Sequence, residues 1–311
     1  MALVLLAICF CLSACNGKNS DTPPPSATNS ASIKAPDNTL PPVTDEPIPD
    51  YITIKGEQYA TALTELGLGN LDLTDEDIIP LKYMTNLIFL YLSGSQISDL
   101  SPLSGLANLA ELSLYDTQIN DISPLSGLTN LTSLSVEGTP ISDLAPLSGL
   151  TNLTTLFLYG NQVSDTSPLS GLTNLTVLSL YDTQINDLSP LSGLTNLTSL
   201  YLYGNQISDT SPLSGLTNLT VLALNNNQIS DLAPLSDLTN LTSLSLSSNQ
   251  ISDLSPLSGL ANLTELSLSG NQISDLTPLS GLSNLSTLGL DGNPITDWSP
   301  VDHVSTVWDM P

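Results

Sequence analysis

Leucine recurs every 22 residues along this chain, at Leu87, Leu109, Leu131, Leu153, Leu175, Leu197, Leu219, Leu241, Leu263 and Leu285, and nearly the same text follows each. Aligned on those leucines, the unit reads L-x-x-L-x-L-x-x-(N/T/S)-x-(I/V)-(S/N/T)-D-x-x-P-(L/V) and closes on L-x-N in every copy but the last. The L-x-L step, as in Leu200, Tyr201 and Leu202, has the period-two pattern of a strand, with leucines on one face and the middle residue on the other. Pro212 stands where the chain turns back, ahead of a Leu-x-x-Leu step that suits one helical or 3₁₀ turn. No single unit can bury both of its apolar edges, so the units are expected to stack and share a continuous leucine core. Ten units are regular, and a degenerate eleventh runs from Leu63 to Asn86 with two extra residues in the Thr74 to Asp77 stretch.

This is the leucine-rich repeat pattern. It predicts an α/β solenoid, a curved rod of about eleven repeats with a concave parallel β-sheet and short 3₁₀ or turn segments on the convex side. With strands about 4.8 Å apart, the rod is on the order of 50 Å long.

Two polar columns run in register with the leucines. Asn161, Asn205, Asn227, Asn249, Asn271 and Asn293 occupy the third position after L-x-L, with Ser95, Thr117, Thr139 and Thr183 there in other units. An Asn at such a place is expected to point inward and satisfy buried backbone groups, with Ser or Thr doing part of that job. The second column is acidic: Asp99, Asp121, Asp143, Asp165, Asp187, Asp209, Asp231, Asp253, Asp275 and Asp297. Each Asp precedes a turn that its carboxylate can cap. A calcium ion needs six to eight oxygens, whereas one column offers a single side chain per layer, so no metal or cofactor is expected. The Asp72, Asp75, Glu76, Asp77 cluster is a slightly better cation candidate, yet it reads first as a solvated loop.

Charge narrows the partners. All four basic residues, Lys18, Lys34, Lys55 and Lys82, precede the first regular unit, and the sequence contains no Arg. From Tyr83 onward, 16 Asp and 3 Glu stand against no Lys or Arg, a net of −19. Nucleic acid is excluded as a partner. Stability of the array must come from leucine burial and hydrogen bonds, not from Lys or Arg salt bridges. Mutual repulsion favours a monomer. With one histidine, His303, and cysteines only at Cys9, Cys11 and Cys15, no nucleophile and base can be paired, so an enzyme is not expected.

Residues 1–14 are almost wholly apolar and too short to span a bilayer as a mature helix. They end in Leu12, Ser13, Ala14 and Cys15, which resembles the lipobox of bacterial lipoproteins. That resemblance implies cleavage before Cys15 and lipidation of its sulfur, the only membrane attachment expected, although no Lys or Arg precedes the apolar run. A plain signal peptide that merely contains a cysteine is the alternative. Residues 15–50 are then the lipidated Cys and a Pro-, Ser- and Thr-rich tether without the aliphatics for a core. Residues 51–62, with a Tyr-Ile-Thr-Ile strand before Gly56 and then a short helical run, read as the N-terminal cap of the array at 63–297. Residues 298–311 read as the C-terminal cap, with Trp298 and Trp308 closing the last leucine layer.

The Ile-x-Asp-x-x-Pro-Leu step at this period is similar to the internalin-like class of bacterial leucine-rich repeats. The resemblance implies an extracytoplasmic, surface-exposed protein that binds other proteins through its concave sheet, and it leaves the ligand open. The residues that would face such a ligand are the middle of L-x-L and the positions two before and two after it. They carry Phe89, Tyr91, Tyr115, Phe157, Tyr159, Tyr181, Tyr201 and Tyr203, eight of the twelve Tyr and Phe in the chain, together with Glu111 and Glu137, and are flanked by Asp116 and Asp182. Beyond Tyr203 the same positions become mostly small and polar. Sheet propensity alone favours exposed Tyr and Phe, but it does not account for this asymmetry. Tyrosine is a preferred anchor at interfaces, so these twelve residues are the expected partner-binding surface, suited to a basic or amphipathic protein. Two other readings stay open: a glycan stacked on the rings, and a stalk or coat with no specific ligand, for which near-identical units such as Leu158 to Leu178 and Leu202 to Leu222 speak.

Overall fold

The computed structural model describes residues 47–308. The signal segment, Cys15 and all but the last four residues of the tether lie outside the described residues. Twelve short strands form one parallel sheet in sequence order, from β3 (Glu65–Gly67) through β4 (Phe89–Tyr91), β5 (Glu111–Ser113), β6 (Ser133–Ser135), β7 (Thr155–Phe157), β8 (Val177–Ser179) and β9 (Ser199–Tyr201) to β10 (Val221–Ala223), β11 (Ser243–Ser245), β12 (Glu265–Ser267), β13 (Thr287–Gly289) and β14 (Thr306–Trp308). The register is that of the sequence repeat, with Leu200 beside Leu222 and Leu222 beside Leu244. The predicted solenoid and its strand positions are therefore observed.

Each layer buries the leucines that the period placed inward. In one unit Leu197, Leu200, Leu202, Ile207, Leu213 and Leu216 are all fully buried, each stabilising the stack by about 1.5–3 kcal/mol. The return side is a 3₁₀ turn at the Ser-Pro-Leu step, as at Ser211–Leu213. Proline fixes φ and brings no N–H to be satisfied. Asp209 Oδ1 accepts the Ser211 N–H at 2.8 Å, and the Leu213 N–H donates to Thr210 O at 2.9 Å. All ten Asp of the acidic column cap their own turn in this way, from Asp99 to Asp297.

The Asn column joins layers. Asn227 Nδ2 donates to Leu224 O of its own layer and to Leu202 O of the preceding one, both at 3.0 Å, while Oδ1 accepts the Ile207 N–H at 3.0 Å. Thr117 keeps its bond within its layer, to Leu114 O, while the Thr183 hydroxyl reaches Leu180 O of its own layer and Asn205 Oδ1 of the next. Ser95 departs from expectation, for its buried Oγ has no hydrogen-bond partner. Its side chain is too short to do the work of the Asn. A second Asn ladder runs along the return side: Asn218 Nδ2 donates to Thr195 O at 2.8 Å, and Thr220 Oγ1 to Thr198 O at 3.0 Å.

The ends differ from the sequence reading in two places. The N-terminal cap is a β-hairpin, β1 (Tyr51–Ile54) against β2 (Glu57–Ala60), and no helical run follows the first strand. Lys55 and Gly56 both adopt positive φ, which makes the two-residue turn that folds Glu57–Ala60 back onto β1 and overrides any local helical preference. Ile52 and Ile54 then close the first leucine layer. Lys55 Nζ meets Asp77 Oδ2 at 2.8 Å, tying the hairpin turn to α1 (Asp75–Ile78), the extra helical turn made by the two additional residues of the first unit. At the other end Trp298 packs on the core, but Trp308 is 60% exposed and does not close it. Val301, Val304 and Val307 do so instead, because β14 carries Val307 inward beside Leu288 and turns Trp308 to the opposite face.

Candidate functional site

The predicted surface residues lie on the outward face of β4 to β9 and the turns that follow these strands, in three registers. Phe89 pairs beside Glu111 in the first. Tyr91, Phe157 and Tyr201 belong to the second, where Ser179 stands between Phe157 and Tyr201. Tyr115, Glu137, Tyr159, Tyr181 and Tyr203 form the third, one per layer, two residues after the middle of each L-x-L.

The third register is where side chains converge. Tyr159 and Tyr181 stack with centroids 4.1 Å apart and planes 10° from parallel, and Tyr181 and Tyr203 stack at 4.0 Å and 14°. The in-register repeat sets this: strands about 4.8 Å apart leave successive rings little choice but to lie face to face. Glu137 precedes the stack. It accepts hydrogen bonds from Ser135 Oγ at 3.0 Å and from the Tyr159 hydroxyl. Burial pushes the Glu137 carboxyl above its ordinary value, those two bonds offset part of the rise, and the Asp116 charge adds to it. Burial and then the Glu137 contact likewise raise the Tyr159 hydroxyl.

Tyr91 and Glu111 form a separate pair, with hydroxyl and carboxylate 3.4 Å apart. Burial first, and then the Glu111 charge, raise the Tyr91 hydroxyl. Tyr115 is 38% exposed. Ser179 Oγ is buried on this face without a hydrogen-bond partner.

Asp116 and Asp182 have a structural duty that their sequence position concealed. They share a turn column with Gly94, Gly138, Gly160, Gly204, Asn226, Ser248, Gly270 and Gly292, all left-handed with φ between +51° and +69°. Asp tolerates that region better than most residues because its side chain bonds locally. The Asp182 carboxylate lies across Gly204, where an added Cβ would collide with Oδ1, and partial burial raises its carboxyl. A 22-residue column of Gly, Asp, Asn and Ser was the available signal. The arrangement offers aromatic rings, hydroxyls and carboxylates on a broad surface, and among the described residues no group of His, Cys, Asp or Glu is placed to hold a metal ion.

The family described as "Leucine Rich repeats (2 copies)" matches in overlapping pairs from residue 107 to 259 and again at 261–303. No curated protein sequence matches the chain. Among solved structures, internalin F of Listeria monocytogenes is 32% identical, with a TM-score of 0.73 over 82% of this chain and 90% of that one. Internalin C2 of the same organism is 45% identical, with a TM-score of 0.57 over 63% of this chain and 83% of its own. The functional domain of InlJ from Listeria monocytogenes, which includes a cysteine ladder, is 26% identical, with a TM-score of 0.69 over 81% of this chain and 55% of that one.

Proposed function

The chain belongs to the leucine-rich repeat family, in its internalin-like form, and we propose that it is an extracytoplasmic binding module, lipid-anchored at Cys15, that recognises a protein partner through the sheet face of β4 to β9. The leucine-rich repeat is a protein-interaction scaffold, and this one varies where a partner would touch it. The carrying observation is the tyrosine stack of Tyr159, Tyr181 and Tyr203 beside Glu137. Rigid aromatic area lowers the entropy lost on binding. The β10 to β13 half of the face carries Val221, Ala223, Ser243, Ser245, Ser267 and Gly289 in the corresponding registers, and we assign it to spacing and stability. Among the described residues no helix is long and apolar enough to cross a membrane, and Cys15 supplies the anchor in this reading.

The test is capture from host and microbial surface extracts by Pro47–Pro311, beside a variant with Tyr91, Tyr159, Tyr201 and Tyr203 changed to Ser. Circular dichroism verifies that the variant folds. A protein held by the parent and lost by the folded variant supports the assignment; a glycan held in its place changes the ligand class. Equal capture by both, or by neither, defeats it in favour of a stalk or coat. For the anchor, labelling of the full chain with radioactive palmitate in a bacterial host is expected to vanish in Cys15→Ser, and labelling that persists refutes lipidation there.

A further inference from the structure

We propose that the break in the tyrosine register at Glu137 is a subsite for one arginine side chain of the partner, whose guanidinium enters between Tyr115 and Tyr159 and pairs with the Glu137 carboxylate. This rests on the sheet-face reading above and narrows it to one slot.

Backbone bonds fix the order of the layers. The Asp116 N–H donates to Glu137 O, the Gly138 N–H to Tyr159 O and the Gly160 N–H to Tyr181 O, each at 3.0 Å. Tyr115, Glu137 and Tyr159 therefore follow one another as Tyr159, Tyr181 and Tyr203 do. In the filled part of the register, rings recur every 4.0–4.1 Å, so two layers span about 8 Å. A planar group needs about 3.5–4.0 Å of carbon contact on each side, so at the pitch of the stack the one layer without a ring matches the thickness of a guanidinium, with the Glu137 carboxylate at its edge. Glu137 has no ring, so its layer holds a carboxylate where the following layers hold an aromatic plane. The stack behind Tyr159 steadies one wall, and the exposure of Tyr115 leaves the other reachable from solvent.

Charge points to the occupant. The donors to Glu137 are the Ser135 and Tyr159 hydroxyls, which bring no positive charge, and Asp116 adds a second negative one nearby. No Lys or Arg follows Lys82 in the sequence, and among the described residues the one ion pair is Lys55 with Asp77, in the N-terminal cap. A carboxylate withdrawn from water therefore lacks a cation that the chain itself does not supply. Guanidinium fits better than ammonium, since it is planar, stacks on aromatic faces and presents paired N–H donors to a carboxylate.

The full chain is titrated, with tyrosine fluorescence and NMR as readouts, against three blocked glycine pentapeptides whose central residue is arginine, its neutral isostere citrulline, or lysine. The arginine peptide is expected to bind and the citrulline peptide to bind about tenfold more weakly, with lysine between them. Glu137→Gln is expected to remove that preference for arginine. Tyr115→Ser, at an exposed position, is expected to weaken arginine binding several-fold with unchanged circular dichroism. Absence of saturable arginine binding up to about 10 mM, equal affinity for arginine and citrulline, or a Glu137→Gln variant that binds as the parent does would each overturn the slot. If the four-tyrosine variant loses a captured partner that Glu137→Gln holds at parental affinity, the slot falls and the sheet-face reading stands. If neither variant loses it, both fall.

Discussion

Replacing Asn227 by alanine removes one side chain and unsettles three buried backbone groups. Ile207 loses the only acceptor seen for its N–H, Asn227 Oδ1 at 3.0 Å. An orphaned buried N–H costs about 1–3 kcal/mol. The Leu202 and Leu224 carbonyls each lose one donor but keep another, Asn205 Nδ2 on Leu202 O and Asn249 Nδ2 on Leu224 O. A lost bond that leaves the acceptor partnered costs about 1 kcal/mol. The total is about 4 kcal/mol, and water does not replace it, because Asn227 is only 9% exposed. Asn227→Thr is expected to lose about 3 kcal/mol, since Thr183 shows that a hydroxyl here still reaches the carbonyl three residues back, at 2.8 Å, which restores one of the three bonds. Urea denaturation followed by far-UV circular dichroism and tyrosine fluorescence measures both variants. A loss under about 1 kcal/mol for alanine, or threonine as costly as alanine, refutes the account of the ladder.

The remaining expectations use the same assays. Thr183→Asn should gain about 1 kcal/mol, because its Oδ1 would face the Val163 N–H as Asn205 Oδ1 faces that of Ile185 at 3.1 Å; a loss refutes this. Gly204→Ala should lose about 1–2 kcal/mol, having φ +69° and a Cβ that would strike Asp182, whereas Gly215→Ala, with nothing within 4 Å, should shift stability by no more than about 0.5 kcal/mol. Hydrogen bonds from the Ser or Thr of the capped turn, hydroxyl first and backbone N–H second, hold the carboxyls of Asp165, Asp187, Asp209, Asp253, Asp275 and Asp297 below their ordinary 3.8. Their stabilisation is present above that value and disappears as pH falls through the lowered folded values, so melting temperature should drop in strong acid. A flat profile there counts against the caps. Glu137 has the opposite sign: its folded value is raised, so its favourable contribution is complete below the ordinary 4.5 and is lost as pH rises through the folded value. Glu137→Gln should therefore melt higher than the parent at neutral pH and lose that advantage in acid; an unchanged difference across the titration refutes the burial argument.

The leucine, Asn and Asp columns were legible because each repeats one residue type at a fixed phase, so period and chemistry point to the same role. The left-handed turn column was harder to see, for Gly204, Asp182, Asn226 and Ser248 meet one backbone requirement with four different side chains. Asp116 and Asp182 therefore read as surface charges when they are also turn residues. The hairpin cap was hidden for another reason. Glu57–Ala60 has no periodicity of its own, and its strand exists because the Lys55–Gly56 turn returns it to β1. Trp308 was misplaced because aromatic size suggested a lid, while the strand's alternation put Val307 inside. The aromatic positions of the candidate site were visible, but the stack depended on which register each ring occupied. Tyr201 and Tyr203 are two residues apart and belong to different registers, while Tyr159 and Tyr203 are 44 apart and share one.

That division separates recognition from stability. In each layer the leucines face inward, the Asn and Thr ladders join neighbours, and Asp closes the turn, which leaves the sheet-face positions as the ones free to vary without unpicking the core. In β6 to β9 that freedom is used for rings around an acidic residue, while β10 to β13 carry mostly small residues. The stack exploits the solenoid's own pitch: a ladder of tyrosines forms wherever one register keeps the ring for successive layers, and a gap forms wherever it does not. Because the array after Lys82 carries no Lys or Arg, no internal ion pair competes for the sheet-face carboxylates. A basic partner should accordingly associate faster at low ionic strength and lose that gain as salt shortens the screening length to about 10 Å and below. The stacking contribution, being short-ranged and partly desolvated, should persist. A salt titration of partner binding in the parent and in Glu137→Gln thus separates the two components: the variant should show the shallower slope, and parallel slopes would assign the attraction to the array's overall charge and not to the gap at Glu137.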